Sequence, residues 1–173
     1  LVIGKIKESY VFASETCALD IIGAKYIRDV ENGEVVYIEN NELKSIKPFP
    51  ARKVRPCVFE YIYFARPDSL LNGKSAYEHR KQFGIELAKE NQIKADIVVP
   101  VPDSGNAAAL GFAQHLGINF ELGLIRNHYV GRTFIEPSQK IRSLGVKLKL
   151  NANQSTIKDK IIILIDDSLV RGT

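Results

Sequence analysis

The sequence predicts an α/β protein in which a parallel sheet alternates with helices and is preceded by a shorter β-rich segment. Three observations predict this. The runs Ile97–Val101 and Ile161–Ile165 are strand-sized and apolar throughout, as expected of strands covered on both faces. Helical patterns separate such runs, as parallel crossovers require. A cluster of three prolines and four basic residues, Lys47–Pro56, then divides them from an N-terminal stretch with sheet-like alternation.

In the N-terminal stretch, Tyr10–Ala13 and Val35–Ile38 read as short strands and Thr16–Gly23 as a short helix, while Asn32-Gly33 signals a turn. These few segments make the edge of a sheet, because isolated strands rarely stand alone. Lys44–Pro56 reads as an extended linker or a surface loop, and the change of pattern beyond it favours a domain boundary. The order that follows is strand Phe59–Phe64, helix Ser75–Asn91, strand Asp96–Val101, helix Asn106–Leu116 and strand Asn119–Ile125. A long polar loop, Arg126–Asn153, leads to a last strand, Lys160–Ile165. On the Ser75–Asn91 helix, Phe83, Ile85 and Leu87 cluster, with Lys81, Glu86, Lys89 and Glu90 outward. Ligand loops in such a sheet lie beyond the carboxyl ends of the strands.

Composition bounds the reading. Hydrophobic residues at 45% and charged residues at 25% are globular values, which disfavours disorder, collagen and coiled coil. A formal net charge of +4 suits an anionic small molecule as well as nucleic acid. Two cysteines, Cys17 and Cys57, make no disulfide framework and point to a reducing cytoplasm. The apolar runs are too short to span a bilayer, so no membrane partner is expected, and the start at Leu1–Lys5 does not read as a signal peptide. The chain has no methionine and ends at Thr173, directly after a strand-to-loop motif, so an internal piece of a longer protein is expected.

Three loops carry chemistry. The last strand delivers Asp166 and Asp167 to its carboxyl end, followed by Ser168-Leu169-Val170-Arg171-Gly172-Thr173. Carboxylates accept hydrogen bonds from a sugar diol, and small residues let backbone amides approach a phosphate. Receiver domains and Walker-B strands share the acidic pair, but neither needs the trailing Gly-Thr cradle. The second loop, Pro102-Asp103-Ser104-Gly105-Asn106, follows another apolar strand and opens a helix, with Ser104 or Asn106 as candidate N-cap. Alone it is equally a plain β–α turn. The third, Arg126–Gln139, is long and polar, and Arg132 between Gly131 and Thr133 suits an arm that clamps phosphates. Read blandly it is a solvated basic loop, or an RNA patch with Tyr129 and Phe134 as stacking groups.

Taken together these strings resemble the glutamine phosphoribosylpyrophosphate amidotransferase family over nearly the whole chain. The Asp166–Thr173 segment is similar to the phosphoribosyl pyrophosphate (PRPP) motif of type I phosphoribosyltransferases, and Asp103–Asn106 to their pyrophosphate loop. Tyr129-Val-Gly-Arg-Thr-Phe-Ile-Glu-Pro-Ser-Gln139 resembles the family's flexible loop, a string that salvage phosphoribosyltransferases lack, and Pro56–Ser69 resembles the segment where its two catalytic domains meet along the ammonia path. Ala13–Asp20 and Arg28–Glu34 resemble the end of its N-terminal-nucleophile glutaminase domain.

The resemblance implies a type I phosphoribosyltransferase-like sheet at 57–173, incomplete after Thr173, a linker at 44–56 and the β-rich end of a glutaminase domain at 1–43. It implies that Asp166 and Asp167 bind the ribose hydroxyls or their Mg2+, that Ser168, Arg171, Gly172 and Thr173 hold the ribose phosphate, and that Asp103 and Ser104 take pyrophosphate, with Ser104 toward the metal. Arg132 then stabilises the leaving pyrophosphate, and Tyr129 and Ile135 line the ammonia route. The reaction implied is PRPP, glutamine and water to phosphoribosylamine, glutamate and pyrophosphate, in purine synthesis. Homo-oligomers and no nucleic acid are expected. Some members ligate an iron–sulfur cluster through a cysteine matching Cys57, but the other ligands lie outside this sequence, so a structural thiol is expected. Leu1 is not the glutaminase nucleophile and Cys17 reads as packing, so the alternative is an inactive remnant or a PRPP-binding module.

Overall fold

The computed structural model describes residues 1–50, 52–129 and 145–169. The chain divides into two compact units, Leu1–Ala76 and Tyr77–Thr173. The proline-rich segment lies within the first of them, and residues 52–57 carry no regular structure.

Unit 1 is built on an antiparallel sheet ordered β2-β1-β3, from β1 (Val2–Ile6), β2 (Ser9–Ala13) and β3 (Lys25–Asp29). Helix α1 (Thr16–Ile21), shorter than the Thr16–Gly23 expected, packs the wholly buried Leu19 beside Val2 and Ala24. Leu19 lies against Gly4, where an added Cβ would come within 2.8 Å of it, so the sheet needs glycine at that point. Asn32-Gly33 does form a turn, with Gly33 at φ 76°. It joins β3 to β4 (Val35–Glu39), which pairs with β5 (Glu42–Ile46) and not with β3. Asn40 and Asn41 make the hairpin between them, both in the left-handed region that asparagine tolerates. Arg28 donates to both carboxylate oxygens of Glu34 at 2.6 and 2.8 Å, and Glu31 N–H adds a third bond at 2.8 Å. The Arg28 bond, then the Glu31 amide, hold the Glu34 carboxyl down at about 2.

The Phe59–Phe64 segment is not a strand. Glu60–Phe64 forms a π-helical turn, closed by Ala65 N–H donating to Glu60 C=O at 3.3 Å. The run Phe59-Glu60-Tyr61-Ile62-Tyr63-Phe64 has no period-2 alternation, and the nearly continuous apolar spacing fits a helical turn as well as a strand. A short hairpin, β6 (Leu70–Leu71) with β7 (Lys74–Ser75), leads into α2 (Ala76–Glu90).

Unit 2 carries a three-stranded parallel sheet ordered β12-β8-β9, from β8 (Ile97–Pro100), β9 (Asn119–Phe120) and β12 (Ile162–Ile165), with α3 (Asn106–Leu116) packed against it. All of β8 is buried, and Val98, Ala109, Phe112, Ala113, Ala88 and Ile165 form the core. Coverage on both faces holds for β8 but not for β12. Leu164 is 56% exposed, because among the described residues β12 is an edge strand. The Asn119–Ile125 strand is split in two. Gly123, wedged against Val99 and Ile157, turns the chain out of β9 into β10 (Leu124–Arg126). The long polar loop is also partly regular. Residues 145–149 are helical, β11 (Leu150–Ala152) pairs antiparallel with β10, and Gln154–Ile157 is a helical turn.

Helix α2 buries a different face from the one expected. Phe83 and Leu87 stay exposed, while Arg80, Gly84 and Ala88 are buried. The reason is close backbone contact. A Cβ at Gly84 would sit 1.8 Å from the Ala108 carbonyl oxygen, and one at Gly111 would sit 2.0 Å from that of Lys81. The two glycines therefore bring α2 and α3 together backbone to backbone.

Gly84→Ala is expected to destabilise unit 2 by ~1–3 kcal/mol in urea unfolding, since backbone must move to admit one methyl. A second expectation concerns pH. Glu34 has a folded value near 2 against an ordinary 4.5, so its contribution is present above about 4.5 and is lost as pH falls toward 2. Glu34→Gln should flatten the acid limb of unit 1 stability, followed by circular dichroism between pH 5 and 2.

Candidate functional site

Parallel pairing of β8 and β12 sets Pro100 opposite Ile165, so the two strands end level. Val101 N–H donates to Ile165 C=O at 2.8 Å and carries that pairing one residue further. The loops Val101–Asn106 and Asp166–Ser168 therefore leave the same edge of the sheet side by side. Gly105 seals the junction. A Cβ there would meet Ile165 O at 2.5 Å and Val101 O at 2.9 Å.

The cap expected from Ser104 or Asn106 is not made. Gly105 is the N-cap residue of α3, without any side-chain cap bond, and Asn106 is the first helical residue. The crowding around Gly105 accounts for this, because no residue with a side chain fits that position. Asp103 is exposed and pairs with Arg126 at the end of β10, and Ser104 is half-buried in the turn. The Pro102–Asp103 peptide is cis.

At the end of β12, Asp167 N–H donates to Asp166 Oδ1 at 2.8 Å and Ser168 Oγ donates to Asp167 Oδ1 at 2.9 Å. Loss of surrounding water, then the Asp167 charge, pushes the Asp166 carboxyl above the usual carboxylate range, against a lowering by the Asp167 backbone bond. Among the described residues, three buried side-chain atoms have no hydrogen-bond partner: Asn106 Oδ1, Arg126 Nε and Asp167 Oδ2. Asp167 follows β12, Asn106 opens α3 after β8, and Arg126 ends β10 in the two-stranded sheet, where it pairs with Asp103. Buried polar atoms are ordinarily satisfied, so these three stand out among the described residues. A shallow depression of about 620 Å³ is lined by Arg126, Asn127, Asn151, Asn153 and Ser155, among others.

Tyr129 is fully exposed, with its N–H bonded to Asn127 Oδ1 at 3.0 Å. Arg132, Ile135, Arg171, Gly172 and Thr173 lie outside the described residues. Cys57 is exposed and Cys17 buried, both as free thiols. No group of three His, Cys, Asp or Glu side chains able to hold a metal ion occurs among the described residues. No helix there is long and apolar enough to cross a membrane. Arg126 is the site residue that sequence reading left as the mere start of a loop. Its only signal was a basic side chain at a strand end.

No protein-family model matches the chain. Whole-sequence comparison does identify relatives. The chain is 58% identical to the amidophosphoribosyltransferase of Rhizobium etli, with all of this chain matched. It is likewise 46% identical over its full length to the Archaeoglobus fulgidus enzyme of that name. The chain belongs to the amidophosphoribosyltransferase family. It spans 36% and 38% of those two amidophosphoribosyltransferases. Solved structures agree. One described as the allosteric regulatory enzyme of purine biosynthesis superposes with a TM-score of 0.89 at 48% identity, over 99% of this chain and 37% of the other. The Bacillus subtilis glutamine PRPP amidotransferase, complexed with ADP and GMP, gives 0.88 at 47% identity, over 99% and 38%. The α/β fold with its parallel sheet is thus that of the amidophosphoribosyltransferases.

The Asp166 and Asp167 charges are coupled, which gives an NMR test. Asp167→Asn should lower the Asp166 carboxyl titration toward the ordinary carboxylate value without fully reaching it, since desolvation, the largest cause, remains. Carboxyl carbon shifts followed against pH would show it, and an unchanged or raised titration contradicts the coupling.

Proposed function

We propose that this chain carries the PRPP site of an amidophosphoribosyltransferase of purine synthesis, in which ammonia derived from glutamine displaces pyrophosphate from the anomeric carbon of PRPP. The observation that carries the reading is the level pairing of β8 and β12, with the unpartnered buried atoms Asn106 Oδ1 and Asp167 Oδ2 just beyond their ends. In the reaction a C–N bond forms at the anomeric carbon as the C–O bond to pyrophosphate breaks. Positive charge then develops on the ribose and negative charge on the leaving group.

Asp166 and Asp167 accept hydrogen bonds from the ribose hydroxyls and fix the ring, which places the anomeric carbon for in-line attack. The Ser168–Thr173 segment takes the ribose phosphate. The Asp103–Asn106 loop, at the start of α3, offers amides and the Ser104 hydroxyl to the pyrophosphate. Arg126, now paired with Asp103, lies at the same edge. Arg132 adds charge to the leaving group, and Tyr129 and Ile135 line the ammonia route.

The donor set fits Mg2+. Asp166, Asp167 and Ser104 are hard oxygen donors, and Asp167 Oδ2 is buried without a partner. When bound, the ion would neutralise pyrophosphate charge. Cys17 and Cys57 are the two cysteines of this sequence, too few to complete an iron–sulfur cluster within it. Residues 1–43 are read as the end of a glutaminase domain, 44–56 as a linker and 57–173 as the phosphoribosyltransferase domain. In support, the β1–β3 sheet is separate from the parallel sheet. Two free cysteines support a reducing compartment such as the cytoplasm.

Calorimetric titration with PRPP and Mg2+ tests the reading. The unmodified chain should bind, and Asp166→Asn/Asp167→Asn should weaken binding by tenfold or more, given ~1.5–3 kcal/mol per bond to a charged group. Equal binding by both, or none by a folded chain, counts against it. Binding without ammonia-dependent release of pyrophosphate would identify a PRPP-binding module instead.

A further inference from the structure

In unit 1, Glu15 occupies the N-cap position of α1 with extended backbone, φ −138° and ψ 154°. An N-cap side chain ordinarily accepts from its own helix. Glu15 does not. Its Oε2 instead accepts from Ser69 Oγ at 2.5 Å and from Arg66 N–H at 3.0 Å, more than fifty residues along the chain. The next residue repeats the pattern, as Thr16 Oγ1 accepts from Leu70 N–H at 2.8 Å. Ser69 is wholly buried and Thr16 is 5% exposed, so water does not stand in for these bonds. Ser69 C=O in turn accepts from Ala76 N–H at 2.8 Å, where α2 begins.

We propose that Glu15 is a positioning residue, which clamps the 66–70 turn to the start of α1 and thereby fixes the aromatic segment 58–64 that runs into it. The clamp does not depend on the functional reading, because all its residues belong to unit 1. A helix start without a side-chain cap is the local sacrifice that the long-range clamp requires. A carboxylate suits the task because one oxygen takes a hydroxyl and an amide at once, and ionised acceptors bind more strongly than neutral ones.

The test is residue-resolved amide hydrogen exchange on the full chain. Glu15→Ala should speed exchange at Arg66, Ser69 and Leu70 by about tenfold while the β1–β3 amides keep their protection. Glu15→Gln, which keeps an oxygen acceptor, should restore protection to within about threefold of the original. Ser69→Ala removes one donor only and should give a smaller, equally local change, which serves if Glu15→Ala does not fold. No change at those three amides, or loss spread evenly over the β1–β3 sheet, overturns the proposal. The PRPP titration reports on unit 2 independently, so failure of the clamp and failure of the functional reading are separable.

Discussion

The in-register parallel pairing of β8 with β12 is the constraint on which the candidate site depends. It joins segments more than sixty residues apart and makes two loops begin at the same height. Neither loop is a site alone. A β–α turn with small residues is common, and so is an acidic pair at a strand end. Their chemistry arises when a potential phosphate cradle and two carboxylates share one edge, and one backbone bond from Val101 to Ile165 carries the registration into the loops.

Close packing maintains that edge. Gly105 fits between the Val101 and Ile165 carbonyls, and the α2–α3 crossing at Gly84 and Gly111 supports α3 from behind. The same economy of volume appears in unit 1, where Leu19 rests on Gly4. In each case the limiting neighbour is backbone or a buried side chain, so the geometry tolerates no enlargement.

Much of this was legible in the sequence. The Asp166-Asp167 pair and the Pro102–Asn106 loop could be assigned to strand ends because an unbroken apolar run followed by small polar residues has few other meanings. Helix Asn106–Leu116 was recovered to the residue. Where the reading failed, the local pattern had left the choice open or a tertiary contact decided it. Phe59–Phe64 has strand composition but closes a π-helical turn. On α2, bulk drew the eye to Phe83 and Leu87, whereas the buried face was chosen by what is absent at Gly84. Arg126 could not be found at all, since its importance comes from a partner, Asp103, twenty-three positions earlier.

The glycine crossing between α2 and α3 also bears on entropy. Most helix contacts are made by side chains that must each give up rotamers, at up to ~2 kcal/mol for the long ones. Where Gly84 meets Ala108 and Gly111 meets Lys81, backbone touches backbone and no glycine rotamer is frozen. The penalty is paid instead by the unfolded chain's greater freedom at two positions. At these two points the layer is held by backbone fit, beside the apolar packing of Ala88 with Ala109 and Phe112.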